Sequence, residues 1–253
     1  GRLYQEVPFK VTRPHYSSPL SIARVILMHS TAGLFGGDNI EARIHVEAGA
    51  RAMITSQSAT KVHPSGVAPA CQSLRITVEP GGELHYYVDP IIPFADSRLW
   101  QEIEVKLGGD AKFYYWDGLM AGRVQSGESW RFSELRSQTS VFVDGGLVYL
   151  DRFGLRPSET TLTRKWVMGE QKYLGNAIAY DGSVNENFLE SVRAEVASFG
   201  HKFVYGIDIP SERLLVGRFL AKEGYSFRKA RECFEGIVSQ NMIAKLHSFK
   251  NKN

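Results

Sequence analysis

The sequence predicts a mainly β fold in which serial hairpins wind into stacked antiparallel sheets, with about two α-helices near the C-terminus. Three observations predict this fold class. A phrase of alternating apolar and polar residues with a glycine turn recurs through the first half of the chain. Groups of aromatic residues follow these turns, and helical periodicity appears only after residue 180.

The recurring motif predicts the strands. Residues 44–52 read Ile-His-Val-Glu-Ala-Gly-Ala-Arg-Ala, and they are echoed at 76–84, at 103–111 and, more loosely, at 141–149. In each copy apolar and polar side chains alternate with the period of two of a half-buried strand, and the glycine permits the chain to reverse. A single hairpin cannot bury its own apolar face, so copies at intervals of roughly 30 residues favour stacked or wrapped sheets.

Aromatic groups follow the second and third copies, at residues 86–87 and 113–116. Aromatic side chains fit the pleated, half-buried surface of a sheet, so packing in the core is the leading explanation for them. Because neighbours in a strand point to opposite faces, aromatic doublets indicate strands that are buried between two layers.

Helical spacing is confined to the C-terminal part of the chain. Ser226 is a candidate helix cap, and a second candidate helix spans 185–198. The residues after Ser226 form one apolar stripe at three- and four-residue spacing: Phe227, Ala230, Phe234 and Ile237. Between the two helices, the apolar run 213–220 indicates a buried strand.

Length and composition narrow the class of protein. The 253 residues are 43% apolar, and 30 basic against 27 acidic residues give a formal charge of +3. We expect one domain over 1–253, with hairpin repeats over 1–180 and an α+β portion over 181–253 packed on them. Nothing resembles a nucleic-acid footprint, and no apolar run is long enough to span a membrane. The two cysteines, Cys71 and Cys233, lack metal or redox spacing, which favours a cytoplasmic protein.

An unusually polar strand follows the apolar residues 52–54. Residues 55–62 read Thr-Ser-Gln-Ser-Ala-Thr-Lys-Val, so polar groups occupy both faces of the expected strand. A buried polar group without a partner costs roughly 1–3 kcal/mol, so these side chains either form an internal network or line a wet passage. An exposed edge strand rich in serine and threonine is the alternative.

Five acids lie beside expected turns: Asp38, Asp89, Asp117, Glu128 and Asp151. Each of them alone is explained by the backbone hydrogen bonds that carboxylates accept near strand ends. Combined with the polar strand, they have the ligand chemistry of a passage for a hard or borderline cation.

Familiar catalytic and metal-binding motifs are missing from the sequence. The glycine-rich segment 33–38 lacks the lysine and hydroxyl residue of a phosphate loop, and no nucleophile elbow of a serine hydrolase occurs. The seven histidines show no paired helical spacing that would favour a zinc or nickel cage. We therefore expect no tightly bound cofactor.

An ordered set of motifs covers essentially the whole chain. The segments are 36–38, 55–62, the turn 89–94, 121–123 with 127–128, and the C-terminal strand 214–220. Individual positions that belong to the set are Gly36, Gly37, Thr55, Gln57, Thr60, Lys61, Pro90, Pro93, Gly122, Arg123 and Asp151. In order and spacing these motifs resemble the urease accessory protein family UreD, which is called UreH in some systems.

The resemblance implies a mostly β, helically wound fold with two C-terminal helices and a non-catalytic role in urease maturation. It implies a scaffold that binds the partner UreF, recruits the GTPase UreG and docks on apo-urease while nickel passes through a water-filled interior. Oxygen ligands and retained waters release nickel(II) more readily than a histidine or cysteine cage, so transient binding is expected. The candidates for this route are Asp38, Ser56, Ser58, Asp117 and Glu128.

The helical stripe is a candidate surface for UreF. Phe227 and Phe234 would then contact the partner, whereas burial in the chain's own core is the alternative explanation of the stripe. The sequence alone does not decide between these two interpretations.

Two other classes of protein fit parts of the sequence. A β-rich module that binds carbohydrate or protein requires Tyr86, Tyr114 or Trp116 to be exposed in a row. A hydrolase requires Asp117 and Glu128 to lie about 5–9.5 Å apart in one cleft.

Overall fold

Two β-sheets face each other across an apolar interior, and two helices pack on the outer face of the larger sheet. The computed structural model describes residues 2–17 and 22–242. Within those residues the larger sheet has 11 strands and the smaller sheet has 5.

The strands, numbered along the chain, are β1 (Phe9–Val11), β2 (His15–Ser17), β3 (Ile22–His29), β4 (Asn39–Val46), β5 (Arg51–Ser56), β6 (Thr60–Val62), β7 (Ala70–Val78), β8 (Glu83–Tyr87), β9 (Ile91–Pro93), β10 (Arg98–Leu107), β11 (Lys112–Met120), β12 (Glu134–Val143), β13 (Gly146–Leu155), β14 (Tyr173–Tyr180), β15 (Val204–Ser211) and β16 (Leu214–Ala221). The helices are α1 (Glu186–Ser198) and α2 (Gly224–Met242), and short 3-10 segments cover Val124–Ser126 and Gly200–Lys202. The smaller sheet has the order β13-β12-β10-β7-β4, and the main path of the larger sheet is β1-β3-β5-β8-β11-β14-β16-β15.

The chain winds between the two sheets in successive coils. Strand β4 of the smaller sheet leads through a short turn to β5 of the larger sheet, and β7 leads to β8 and β10 to β11 in the same way. The coils are joined at their turns, where the Glu83 N–H donates to the Ala50 carbonyl and the Lys112 N–H donates to the Gly82 carbonyl. The prediction of a mainly β, helically wound fold with two helices near the C-terminus is therefore confirmed.

The pairing of the strands differs from the predicted serial antiparallel hairpins. Strand β7 pairs in parallel with β4 and with β10, and β8 pairs in parallel with β5 and with β11. The two strands of each of the first three copies belong to opposite sheets and do not pair side by side. Both arrangements require alternating side chains and a glycine turn, so the pattern that predicts the turn does not predict the pairing.

The fourth copy does form a hairpin, and its turn shows the difference. Strands β12 and β13 pair antiparallel across Asp144 and Gly145, which have φ values of 48° and 84°. A two-residue Asp-Gly turn with positive φ at both positions has the type I′ geometry that matches the twist of paired strands. The first two turns instead have one glycine with positive φ, Gly49 or Gly81, within a longer connection.

The aromatic doublets divide between the two faces of the larger sheet. Tyr86 and Tyr115 lie between the sheets, with parallel rings whose centroids are 5.5 Å apart. Their neighbours Tyr87 and Trp116 face the helices, and the ring of Trp116 contacts aromatic rings of α2. Strands β8 and β11 are therefore buried on both faces, as the doublets predict.

The two helices lie close to their predicted positions. The Asn185 side chain caps α1 by accepting a hydrogen bond from the Phe188 N–H (3.0 Å). Helix α2 begins at Gly224, before the predicted cap Ser226, and the predicted strand between the helices is β16. No helix among the described residues has the length and the apolar character needed to cross a membrane.

Glu134, at the start of β12, is the centre of a charged network on the smaller sheet. Its carboxylate accepts hydrogen bonds from Trp100 Nε1 (3.0 Å), Arg136 Nε (2.9 Å) and Arg156 Nε (2.7 Å). Burial opposes ionisation, but these donors outweigh it and lower the pKa of Glu134 from its ordinary value of 4.5 to about 2.

We expect Glu134→Gln to lower the free energy of unfolding by about 1–2 kcal/mol at neutral pH. A carboxylate with a lowered folded-state pKa stabilises the fold above its unfolded pKa, and this contribution is lost as the pH falls from about 4.5 towards 2. Urea unfolding at neutral pH and near pH 3 measures the difference between the variant and the original chain, which should shrink at the lower pH. Glu104→Gln, in a surface pair with Lys106, is the control, and equal losses for both variants would contradict the network's role.

Candidate functional site

A row of polar side chains crosses the larger sheet on the face towards the smaller sheet. Asp117 of β11 lies opposite Asn176 of β14, and Asn176 lies opposite Arg218 of β16. Directly opposite positions on neighbouring strands point to the same face. Because the surrounding interior is apolar, these charged and polar groups must find their partners within it.

Asp117 is the buried centre of this row. Its Oδ2 accepts a hydrogen bond from the Tyr115 hydroxyl (2.7 Å), and its Oδ1 accepts one from Asn176 Nδ2 (2.9 Å). Burial raises the pKa of Asp117, although these two donors and the charge of Arg218 act in the opposite direction. A cation beside this carboxyl group therefore favours its ionised form.

Two cavities lie between the sheets next to the polar row. The larger cavity, of ≈ 100 Å³, is lined by Tyr115, Asn176 and Arg218 together with residues of β12, β13 and β15. The smaller cavity, of ≈ 50 Å³, is lined by Tyr115 and Asp117 together with residues of the earlier coils. Each has room for roughly three or more water molecules at ~10–15 Å³ apiece. Tyr115, which donates to Asp117, lines both cavities and forms a wall that they share.

Each cavity is lined by a further aspartate that pairs with an arginine. In the larger cavity, Asp151 of β13 pairs with Arg218 across the space between the sheets. Asp89, which lines the smaller cavity, accepts a hydrogen bond from Arg231 of α2 (3.3 Å), and Arg231 itself lines neither cavity. The Asp89 N–H also donates to Ser56 Oγ (2.8 Å), which holds the segment after β8 against β5. With Asp117, and with Asp208 of β15 in the larger cavity, these residues place four aspartates along the two cavities.

Amide oxygens add to the polar lining. Asn176 Oδ1 in the larger cavity and Gln72 Oε1 in the smaller cavity are buried without a hydrogen-bond partner among the described protein atoms. Carboxylate, amide and hydroxyl oxygens suit hard or borderline divalent cations, which retain part of their water shell. The described part of the chain contains no group of three His, Cys, Asp or Glu side chains able to hold a metal ion. Among the described residues, the cavity linings therefore offer separate oxygen ligands and no closed metal cage.

The polar segment 55–62 is divided between the smaller cavity and solvent. Ser56, at the end of β5, and Thr60, at the start of β6, line the cavity. The other polar residues after Ser56 are exposed: Gln57, Ser58 and Lys61. Of the five predicted route residues, Ser56 and Asp117 therefore meet at this cavity, and Ser58 does not reach it.

Asp38 and Glu128 line neither of the two cavities. Asp38 Oδ2 accepts a hydrogen bond from the Phe35 N–H (2.8 Å) and closes the glycine turn. Both carboxylate oxygens of Glu128 pair with Arg123 in a surface loop. These are the local contacts that explain acids near strand ends. Because Glu128 shares neither cavity with Asp117, the structure gives no support to a hydrolase that uses these two residues.

Other motif residues meet in loops at the surface. The rings of Phe35, His63 and Phe94 are in series, with centroids 4.3 Å and 4.9 Å apart, and the Arg123 guanidinium lies 4.5 Å from the Phe94 ring. Gly122 precedes this arginine with a φ of 136°, and a Cβ there would press against two carbonyl oxygens. The loop therefore requires glycine at this position.

The aromatic candidates for a binding surface are buried. Phe227 and Phe234 of α2 pack against Trp116 in the chain's own core, which was the alternative interpretation of the helical stripe. They present no surface to UreF in this structure. Tyr86, Tyr114 and Trp116 are also buried, so they do not form the exposed row that a carbohydrate-binding module requires.

Asn176, Arg218 and Arg231 are site residues that the sequence analysis missed. The first two have a signal, because Asn176 stands in the otherwise apolar stretch 174–179 and Arg218 is the only charged residue of 214–220. A lone polar side chain in an apolar strand indicates a buried partner. Arg231 has no such signal, since basic residues are frequent in its helix.

Known proteins are similar to this chain over most of its length. Residues 1–247 match the family model of the UreD urease accessory protein. The urease accessory protein UreD of Deinococcus radiodurans is 39% identical over 177 residues, which are 69% of this chain and 62% of that protein. The UreD protein of Bacillus sp. (strain TB-90) is 28% identical over 250 residues, which are 98% of this chain and 87% of that protein. The chain belongs to the UreD family of urease accessory proteins, which act in urease maturation without being enzymes.

Proposed function

We propose that this chain conducts nickel(II) between its two sheets during urease maturation. The observation that carries the proposal is the polar lining of two cavities that share Tyr115 and adjoin the buried carboxyl group of Asp117. Family membership supplies the context of urease maturation, and the oxygen-rich lining supplies the chemistry. The ion enters as cargo and is passed on, so no resident metal is needed.

Weak ligands suit this task. Nickel(II) binds tightly to several imidazole or thiolate ligands, and a carrier built from them would release it slowly. Carboxylate, amide and hydroxyl oxygens that alternate with water offer many weak positions between which an ion can move. Asp117 and Ser56 offer such oxygens in the smaller cavity, and Asn176 offers one in the larger.

The proposal includes three protein partners. The chain binds UreF, recruits the GTPase UreG and docks on apo-urease in the cytoplasm, as the family resemblance implies. Membership in the UreD family supports a place in a maturation complex. The two cysteines are free thiols, which fits a reducing compartment.

The test is the replacement Asp117→Asn, which keeps the size of the side chain and removes its negative charge. We expect the nickel content of urease co-expressed with UreF, UreG and this variant to fall by roughly tenfold, because the central oxygen ligand of the route loses its charge. Metal analysis of purified urease measures the loss, and co-purification of UreF checks that the complex still assembles.

Two variants serve as controls for this experiment. Asp38→Asn and Glu128→Gln each remove one carboxylate that lines neither cavity. We expect urease to keep its nickel with either control. A nickel content that is the same for Asp117→Asn and for the controls, with the complex assembled, would exclude the route between the sheets.

A further inference from the structure

Each cavity is lined by an aspartate that pairs with an arginine from another structural element. Asp151 of the smaller sheet pairs with Arg218 of the larger sheet, and Asp89 pairs with Arg231 of α2. All four side chains are partly exposed, between 22% and 43% of their surface. Water therefore reaches each pair, and neither pair is sealed within the core.

Each arginine also faces a second carboxyl group. Arg231 pairs with Glu235 on its own helix as well as with Asp89. Arg218 lies in the same cross-strand row as Asp117, and its charge acts on the Asp117 carboxyl group. An arginine with a second carboxyl group nearby can leave its paired aspartate while its charge remains partly compensated.

We infer that Arg218 and Arg231 are the internal counter-ions of the nickel route, an inference that rests on the proposed function. Besides the largely exposed Asp208, three aspartates line the two small cavities, and together they would attract a divalent cation strongly and retain it. The two arginines offset two of those three charges. An arriving cation replaces an arginine on its aspartate, and the returning arginine helps to displace the cation.

Loss of either arginine should make the chain bind nickel(II) more tightly and pass it on less readily. Arg218→Met and Arg231→Met each keep most of the side-chain length and remove the positive charge. For the purified full chain, we expect each variant to bind nickel(II) roughly tenfold more tightly, because one carboxylate loses its competing partner. Isothermal titration with nickel chloride measures the affinity. Co-expressed urease should contain less nickel with either variant, although binding to the chain is tighter.

Matched controls remove the same charge from arginines that do not pair with a cavity aspartate. One control is Arg152→Met. Arg152 lies next to Asp151 on β13, is exposed and donates to Gln138. The other control is Arg228→Met. Arg228 lies on α2, is exposed and pairs with Glu232 (3.8 Å). We expect both controls to bind nickel(II) as the original chain does.

Two further variants distinguish a charge effect from a loss of structure. Arg218→Lys retains the charge and should keep the original affinity, and Arg218→Met combined with Asp151→Asn should return the affinity towards the original value. If the two methionine variants bind nickel(II) no more tightly than the controls, the counter-ion inference is wrong. That result leaves the route intact as long as Asp117→Asn still reduces the nickel content of urease. If urease co-expressed with Asp117→Asn keeps its full nickel content, both the proposed route and the counter-ion inference are wrong.

Discussion

Replacing Trp116 with alanine should lower the free energy of unfolding by about 3–5 kcal/mol, as expected for the loss of a large buried aromatic side chain. Trp116 is fully buried, and its ring centroid lies 5.3 Å from that of Phe219, 5.6 Å from Phe227 and 6.0 Å from Phe234. Removal of the indole leaves a cavity where β11, β16 and α2 meet. The neighbouring rings can fill it only by shifting the helix, which adds to the cost.

The same substitution should disturb the smaller cavity. Helix α2 carries Arg231, which pairs with Asp89, so a displaced helix weakens that contact. Urea unfolding measures the stability of the Trp116→Ala variant. Trp166→Ala is the control, because the Trp166 side chain is 78% exposed and its loss should change stability by no more than about 0.5 kcal/mol. Similar losses for the two tryptophans would contradict the proposed role of Trp116 in holding α2.

Glu83→Leu should destabilise the fold by about 3 kcal/mol, because it removes one partner from a buried charged network. The Glu83 carboxylate accepts hydrogen bonds from His85 Nε2 (2.9 Å) and Arg51 Nε (3.0 Å). Burial raises the pKa of Glu83, but His85, Arg51 and Lys112 outweigh this effect, and the net pKa is lowered. Leucine fills a similar volume but leaves Nε2 of the fully buried His85 ring without its acceptor.

An exposed pair of the same type provides the control. His45 Nε2 and Glu79 Oε1 are 2.8 Å apart at the surface, so Glu79→Leu should cost no more than about 1 kcal/mol. The Glu83 contribution is present above its unfolded pKa and is lost as the pH falls below about 4.5, so the effect of Glu83→Leu should shrink in acid. Combining Glu83→Leu with His85→Leu should recover part of the stability. Equal losses from the Glu83 and Glu79 variants at neutral pH would refute the buried network as a source of stability.

Much of the fold follows from local sequence, but the pairing of strands does not. Alternation around Gly49 and Gly81 predicts where strands end and where the chain reverses. This alternation does not indicate whether two successive strands pair with each other or belong to opposite sheets. Either arrangement buries the same alternate side chains. The Asp144-Gly145 dipeptide does indicate pairing, because it favours a tight hairpin turn. The turn types therefore distinguish the hairpin at Asp144-Gly145 from the crossings at Gly49 and Gly81.

The site was only partly predictable for a related reason. The polar run that begins in β5 led to Ser56, and the set of acids beside expected turns led to Asp117. The same reasoning selected Asp38 and Glu128, whose carboxylates hold local turns and loops. Composition does not distinguish an acid that lines a cavity from one that holds a local turn. They are separated by strand register, which sets Asp117 opposite Asn176 and is fixed only by contacts distant in sequence.

The parallel winding affects how the chain can fold during its synthesis on the ribosome. In the larger sheet β5 lies beside β3, β8 beside β5 and β11 beside β8, so each coil adds to a surface made by earlier residues. Assembly can therefore advance in the order of synthesis, as domains generally do from their N-terminal side. Until the next coil emerges, the newest strand presents its unpaired amide and carbonyl groups, and a nascent chain stalled at such a point is exposed to association with its neighbours.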